Sequence, residues 1–196
     1  MIGLRLLLAV CLLTCGLNAA PQKYTYWVEP CTDPASQCQP GDPQLAQWAF
    51  EAWQTASGGR LQFASVKDRD RARIRLYWAS AEQGLYGETR PVFFEGRRLG
   101  AEVYVRPSPL SPRGDRLLRD AIVYLTCLHE SGHALGLPHT AVFADIMYSF
   151  QYGGDIDEYF GRYRRKLATR VDIARNSGMS PADRARLIAV LKSDQP

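Results

Sequence analysis

Histidine is scarce in this 196-residue chain: there are three, all within one stretch of eleven residues. Long apolar runs are missing as well. The exception, Leu6 to Leu13, is too short to span a membrane, and no transmembrane span is expected beyond it. No charge of one sign dominates, because 24 Lys and Arg against 20 Asp and Glu leave +4, which is no signal for a nucleic-acid partner. Cysteine numbers five, and two of these, Cys11 and Cys15, stand in the first twenty residues.

What is present begins with those twenty residues, MIGLRLLLAVCLLTCGLNAA. One early positive charge at Arg5, the apolar run and the small residues from Gly16 to Ala20 form the pattern of a secretory signal peptide, with cleavage expected after Ala19. A minor alternative is lipid attachment at Cys15, for which Thr14 is a poor preceding residue. Either reading exports the protein, so a secreted or periplasmic location is expected. Residues 20–196 are read as a single domain, and the 46% apolar composition suffices for a real core.

The three histidines are His129, His133 and His139, and with Glu130 and Gly136 they spell H-E-x-x-H-x-x-G-x-x-H. Residues four apart on a helix stand one above the other, so His129 and His133 present two imidazole nitrogens to one ion. Glu130 sits beside them, aimed at a metal-bound water. A third ligand reaches the same ion only if the helix stops and turns back. Gly136 tolerates the left-handed backbone of such a cap, Pro138 forbids continuation, and His139 can then swing in. Three neutral imidazoles and one water make an open, catalytic type of Zn2+ site. In a chain of this composition the five fixed positions arise by chance on the order of once in a million sequences.

This motif, together with Met147, resembles the zinc signature and Met-turn of the metzincin metallopeptidases. The details are most similar to a minimal bacterial-type matrixin: Thr140 follows His139 where matrixins usually carry serine, and Met147 lies eight positions after His139. The resemblance implies an α+β, zincin-like fold with a mixed, twisted five-stranded sheet, an active-site helix, a backing helix and a C-terminal helix. The upper part would be residues 20–139, and the lower part, residues 140–196, would hold the Met-turn and the last helix. Met147 would then be an apolar floor under the ligands and not itself a ligand. The chain departs from the matrixin pattern at MYSFQY, where Ser149 replaces a proline and Tyr152 is displaced by one place, so the shape of the neighbouring pocket is not carried over. Tyr148 follows Met147 directly, which is the wrong spacing for a tyrosine ligand. No Pro-Arg-Cys-Gly motif is present to cap the metal, and no histidine remains for a second zinc.

Outside the motif the pattern predicts a strand over Tyr24 to Val28, a helix from Pro43 ended by Gly58 and Gly59, and strands over Leu61 to Val66 and Ala72 to Ala79. Two further strands are expected near Thr89 to Phe94 and Ala101 to Val105. Pro91 suits an edge strand, and the resemblance makes this one, with Thr89, Arg90, Pro91, Val92 and Phe93, the strand that pairs with extended substrate. Asp115 reads as the cap of the ligand-bearing helix, and Ser180, Pro181 and Asp183 open a last helix. The segment between, GGDIDEYFGRYRRKLATRVDIARN, reads as a solvated loop followed by a basic, solvated helix face. Its acids leave calcium open as a ligand, without support from any loop spacing. Cys31 and Cys38 are expected to form a disulfide in an oxidising compartment, and Cys127 to be an inert buried thiol.

The expected activity is hydrolysis of peptide bonds in a protein or peptide substrate by attack of a zinc-bound water, with Glu130 as general base, in a monomer. The alternative is a secreted zinc-containing binding module with little or no proteolytic activity, against which the retained Glu130 weighs.

Overall fold

A computed structural model describes residues 20–80, 86–107 and 114–193. The leader read in residues 1–19 lies outside the described residues. The elements are β1 (Gln22–Val28), α1 (Asp42–Ala56), β2 (Leu61–Ser65), β3 (Ile74–Trp78), β4 (Gly87–Phe94), β5 (Arg97–Val105), α2 (Arg116–Ala134), α3 (Ile156–Arg164), α4 (Asp172–Arg175) and α5 (Pro181–Ser193). The fold is therefore α+β.

The five strands form one mixed sheet in the order β2-β1-β3-β5-β4. Four strands run parallel, and β4 alone is antiparallel, joined to β5 by a tight hairpin. Both hairpin residues, Glu95 (φ 47°) and Gly96 (φ 76°), have positive φ, the backbone that matches the twist of the flanking strands. That turn sets the register Phe94 to Arg97, so β5 begins four residues before the Ala101 expected from pattern.

Alternation along the strands sends Tyr24, Tyr26, Ile74, Leu76, Trp78, Val103 and Val105 into the core, where they meet Leu45, Phe50 and Trp53 of α1 and Leu125 and Leu128 of α2. Each such side chain contributes roughly 1.5–3 kcal/mol by leaving water. On the other face, Trp27, Tyr77 and Tyr104 stand in a row across β1, β3 and β5, with centroid separations of 5.6 and 5.3 Å, and Arg90 of β4 lies 4.8 Å over Tyr104.

Helices α1 and α2 are locked by a buried ion pair. Arg119 grips Asp42 with both Nη nitrogens of its guanidinium, the Nη2 to Oδ2 bond measuring 2.6 Å. Each charge is only bearable in the interior because the other is there. Cys31 and Cys38 are joined as a disulfide, and Cys127 is free and wholly buried, its thiol pushed up chiefly by that burial.

One expectation needs correction. The acidic start of the 153–176 segment is not simply a solvated loop: Asp155 caps α3 by accepting from the Glu158 N–H, and Tyr159, Phe160 and Tyr163 bury one side of that helix. Arg165 and Lys166 are exposed, as a solvated helix face requires, but several of the basic residues there have partners. Arg162 lies over Phe143 and Tyr159, Arg164 bonds Asp115 at 2.9 Å, Arg165 bonds Glu158 at 2.6 Å, and Arg170 bonds Asp120 at 2.9 Å.

Candidate metal centre

Helix α2 places the first two histidines. Asp115 caps it by accepting from the Leu118 N–H at 3.0 Å, and a continuous buried stripe from Ala121 to Leu128 fixes it against the core. Trp53 of α1 donates from its indole N–H to the Leu128 carbonyl at 2.9 Å, which pins α2 within one turn of His129.

The helix ends at Ala134. Gly136 then takes φ +95°, and the Gly136 and Leu137 amides donate back to the carbonyls of His133 and Gly132 at 2.9 and 3.0 Å. This reversed cap is what the sequence requires of Gly136, and it brings His139 round to the other two imidazoles.

The Nε2 atoms of His129, His133 and His139 form a triangle with edges of 3.2, 3.2 and 3.0 Å. On the other side of the rings, His129 Nδ1 meets the Ile146 carbonyl at 2.7 Å and His133 Nδ1 meets the Leu137 carbonyl at 2.8 Å. A carbonyl only accepts, so those two Nδ1 atoms carry the protons and leave the Nε2 lone pairs of His129 and His133 facing each other, with His139 Nε2 converging on the same point. Facing lone pairs repel unless a cation or a proton sits among them. Four-coordinate Zn2+ with nitrogen at about 2.0–2.1 Å would set tetrahedral edges of about 3.3–3.4 Å, close to the triangle seen. The three histidines can hold a metal ion. Burial and the neighbouring His133 push His129 down to about 3, so the ring stays a neutral ligand at ordinary pH.

Behind the ligands the chain is tied by residues distant in sequence. Thr140 and Met147 share a bond of 2.8 Å from amide to carbonyl, and the Ser149 amide returns to Thr140 at 3.1 Å. Met147 is wholly buried against α2, and Tyr148 turns its hydroxyl to the Gly153 carbonyl at 2.6 Å, away from a ligand role. The Ile146 carbonyl that holds His129 also accepts from Tyr159 of α3 at 3.2 Å, while the Ile146 amide donates to Asp183 of α5 at 2.8 Å. Asp145 accepts from Ser180 and Arg186 at 2.6 Å each and from Thr140 at 3.0 Å. Sequence reasoning assigned Asp183 only to the helix start and gave Asp145 and Tyr159 no part. No local signal marks the contacts that join α3 and α5 to this segment, since those partners are 13 to 41 residues apart.

Glu130 is 6% exposed and points into a cleft of about 800 Å³ that runs past all three histidines. Burial raises its carboxyl, a hydrogen bond from Thr89 opposes, Glu88 adds to the rise, and the result is about 7. Strand β4 forms the upper rim as an open sheet edge. The Arg106 amide bonds the Tyr86 carbonyl just outside the ladder, so by antiparallel alternation Gly87, Thr89 and Pro91 turn their backbone groups outward. Pro91 thus costs the sheet no ladder bond. Of the rim residues expected to meet substrate, Thr89, Pro91 and Phe93 line the cleft. Arg90 does not: it pairs with Glu88 at 2.8 Å and covers Tyr104 on the far face, and Val92 is not part of the lining. The remaining wall is largely aromatic, from Tyr86, Tyr148, Phe150, Tyr159 and Phe160.

The structure thus defines an α+β protein with a three-histidine site able to hold a metal ion, at the floor of a cleft bounded by a sheet edge. A scan against protein-family models finds no match to this chain.

Proposed function

We propose that this protein is an exported, zinc-dependent endopeptidase of the metzincin type. The observation that carries the reading is the convergence of three imidazole Nε2 atoms on one point, with a buried carboxylate beside them and an open strand edge above.

His129, His133 and His139 would hold the ion, and Zn2+ bound there supplies polarisation of the scissile carbonyl and acidification of a water. A peptide laid along β4 pairs with the outward backbone groups of Gly87 and Thr89, which extends the sheet by one strand. Glu130 takes the proton from the attacking water onto its carboxylate and delivers it to the leaving amine nitrogen. Zn2+ alone does not require that carboxylate, which weighs against a purely structural or binding site.

The test is mass spectrometry on a diverse peptide pool incubated with the zinc-loaded protein and with zinc-loaded Glu130→Gln. New termini with the first and none with the second support the reading. Silence from both, with zinc bound, transfers the site to a binding role.

A further inference from the structure

The two oxygens of the Glu130 carboxylate differ in their surroundings. Oε2 accepts a hydrogen bond from the Thr89 hydroxyl at 2.7 Å. Among the described residues no hydrogen-bond partner holds Oε1, and Glu130 lines the cleft. The Thr89 hydroxyl also lies 2.8 Å from the Glu130 backbone carbonyl, but it has one proton, and an ionised carboxylate is the stronger acceptor.

Gly87, two residues earlier on the same face of β4, makes this approach possible. A Cβ there would stand 2.6 Å from Glu130 Cγ and 2.9 Å from Oε1, closer than atoms can pack. Edge strand and carboxylate are therefore in direct contact through the one position that lacks a side chain.

We infer that Thr89 is a positioning residue for Glu130: its hydroxyl anchors Oε2 and so leaves Oε1 as the oxygen that takes the proton from water. This rests on the endopeptidase reading and assigns Thr89 a second task, because its backbone faces substrate while its side chain holds the base. The anchoring bond persists through the proton transfer, since Oε2 remains an acceptor when Oε1 is protonated. A single rigid orientation avoids the cost of restricting a free carboxylate at each turnover.

The experiment compares zinc-loaded wild type, Thr89→Val and Thr89→Ser. Valine keeps the β-branched shape that suits the strand and removes the hydroxyl; serine keeps the hydroxyl. Expected for Thr89→Val are an unchanged zinc content, a kcat about 10- to 100-fold lower and a KM within about threefold of wild type, with recovery in Thr89→Ser. Crystal structures of the three proteins supply a readout independent of turnover: the Glu130 carboxylate leaves its position in Thr89→Val and keeps it in Thr89→Ser, with the imidazoles unmoved. A Glu130 that stays in place in Thr89→Val overturns the inference, as does a serine variant as slow as the valine one. If wild type itself is silent toward peptides, the endopeptidase reading fails, and the crystallographic comparison alone decides whether Thr89 positions Glu130.

Discussion

Met147 packs its sulfur against the backbone of Gly132, so closely that a Cβ built on the glycine would lie 2.5 Å from Sδ and 2.9 Å from the Trp53 ring. Gly132 is one of the two unspecified positions between Glu130 and His133, and it is a point where the segment after His139 touches the helix carrying His129 and His133. A helix interior normally prefers alanine to glycine by roughly 0.5–1 kcal/mol. Here the missing methyl is the space that Met147 occupies.

Gly132→Ala is accordingly expected to destabilise the fold by about 1–3 kcal/mol, overpacking outweighing the gain in helix propensity, and to weaken zinc retention. Thermal unfolding with and without zinc measures both. A variant more stable than wild type, with undiminished metal affinity, would contradict the packing argument.

Loss of a ligand should separate metal binding from folding. At free zinc 100-fold above its dissociation constant, the wild type gains about 2.7 kcal/mol of stability from the bound ion. His133→Ala is expected to lose stoichiometric zinc and with it the zinc-dependent rise in Tm, and a chelator should bring wild type to the same level. Full zinc content in His133→Ala, by metal analysis after gel filtration, would remove it from the ligand set.

Glu130→Gln keeps the shape and the Thr89 contact but removes the base. Zinc content should stay stoichiometric while turnover falls by roughly two to four decades. Turnover equal to wild type would exclude Glu130 as the general base.

Acid stability should depend on Asp145. Burial alone would raise its carboxyl, but hydrogen bonds from Ser180, Arg186 and Thr140 prevail and hold it below the usual carboxylate range. The unfolded value is near 3.9. Because the folded value is lower, the carboxylate contributes its full stabilisation above about pH 5 and loses it as pH falls through 4 toward the folded value. Asp145→Asn should cost roughly 1–3 kcal/mol at pH 7, and urea titrations should show that difference shrinking below about pH 4. A gap that stays constant from pH 7 to pH 3 would show that ionisation of Asp145 is not what matters.

Much of the ligand set is legible in the chain because its geometry is local. His129, Glu130 and His133 lie within five residues of one helix, whose period fixes their relative directions, and Gly136 and Pro138 force the return that brings His139 back. Pro91 marks β4 as an edge for a similarly local reason, its missing amide proton. The early start and buried side of α3 escaped because Tyr159, Phe160 and Tyr163 form a narrow apolar side within a run of charges, and some of those charges find partners such as Asp115 and Asp120 only in the folded state.

The sequence by itself determined which imidazoles converge and that a carboxylate stands next to them, since a helix and a glycine cap dictate both. Tertiary structure alone decided what holds them there: Asp183 on the Ile146 amide, Tyr159 on the Ile146 carbonyl, Met147 under Gly132 and Thr89 on Glu130. Each of these joins two elements separated by tens of residues or by a change of layer. A hydrogen bond or a close contact between such partners has no period in the sequence, and becomes visible only once packing has brought the elements together.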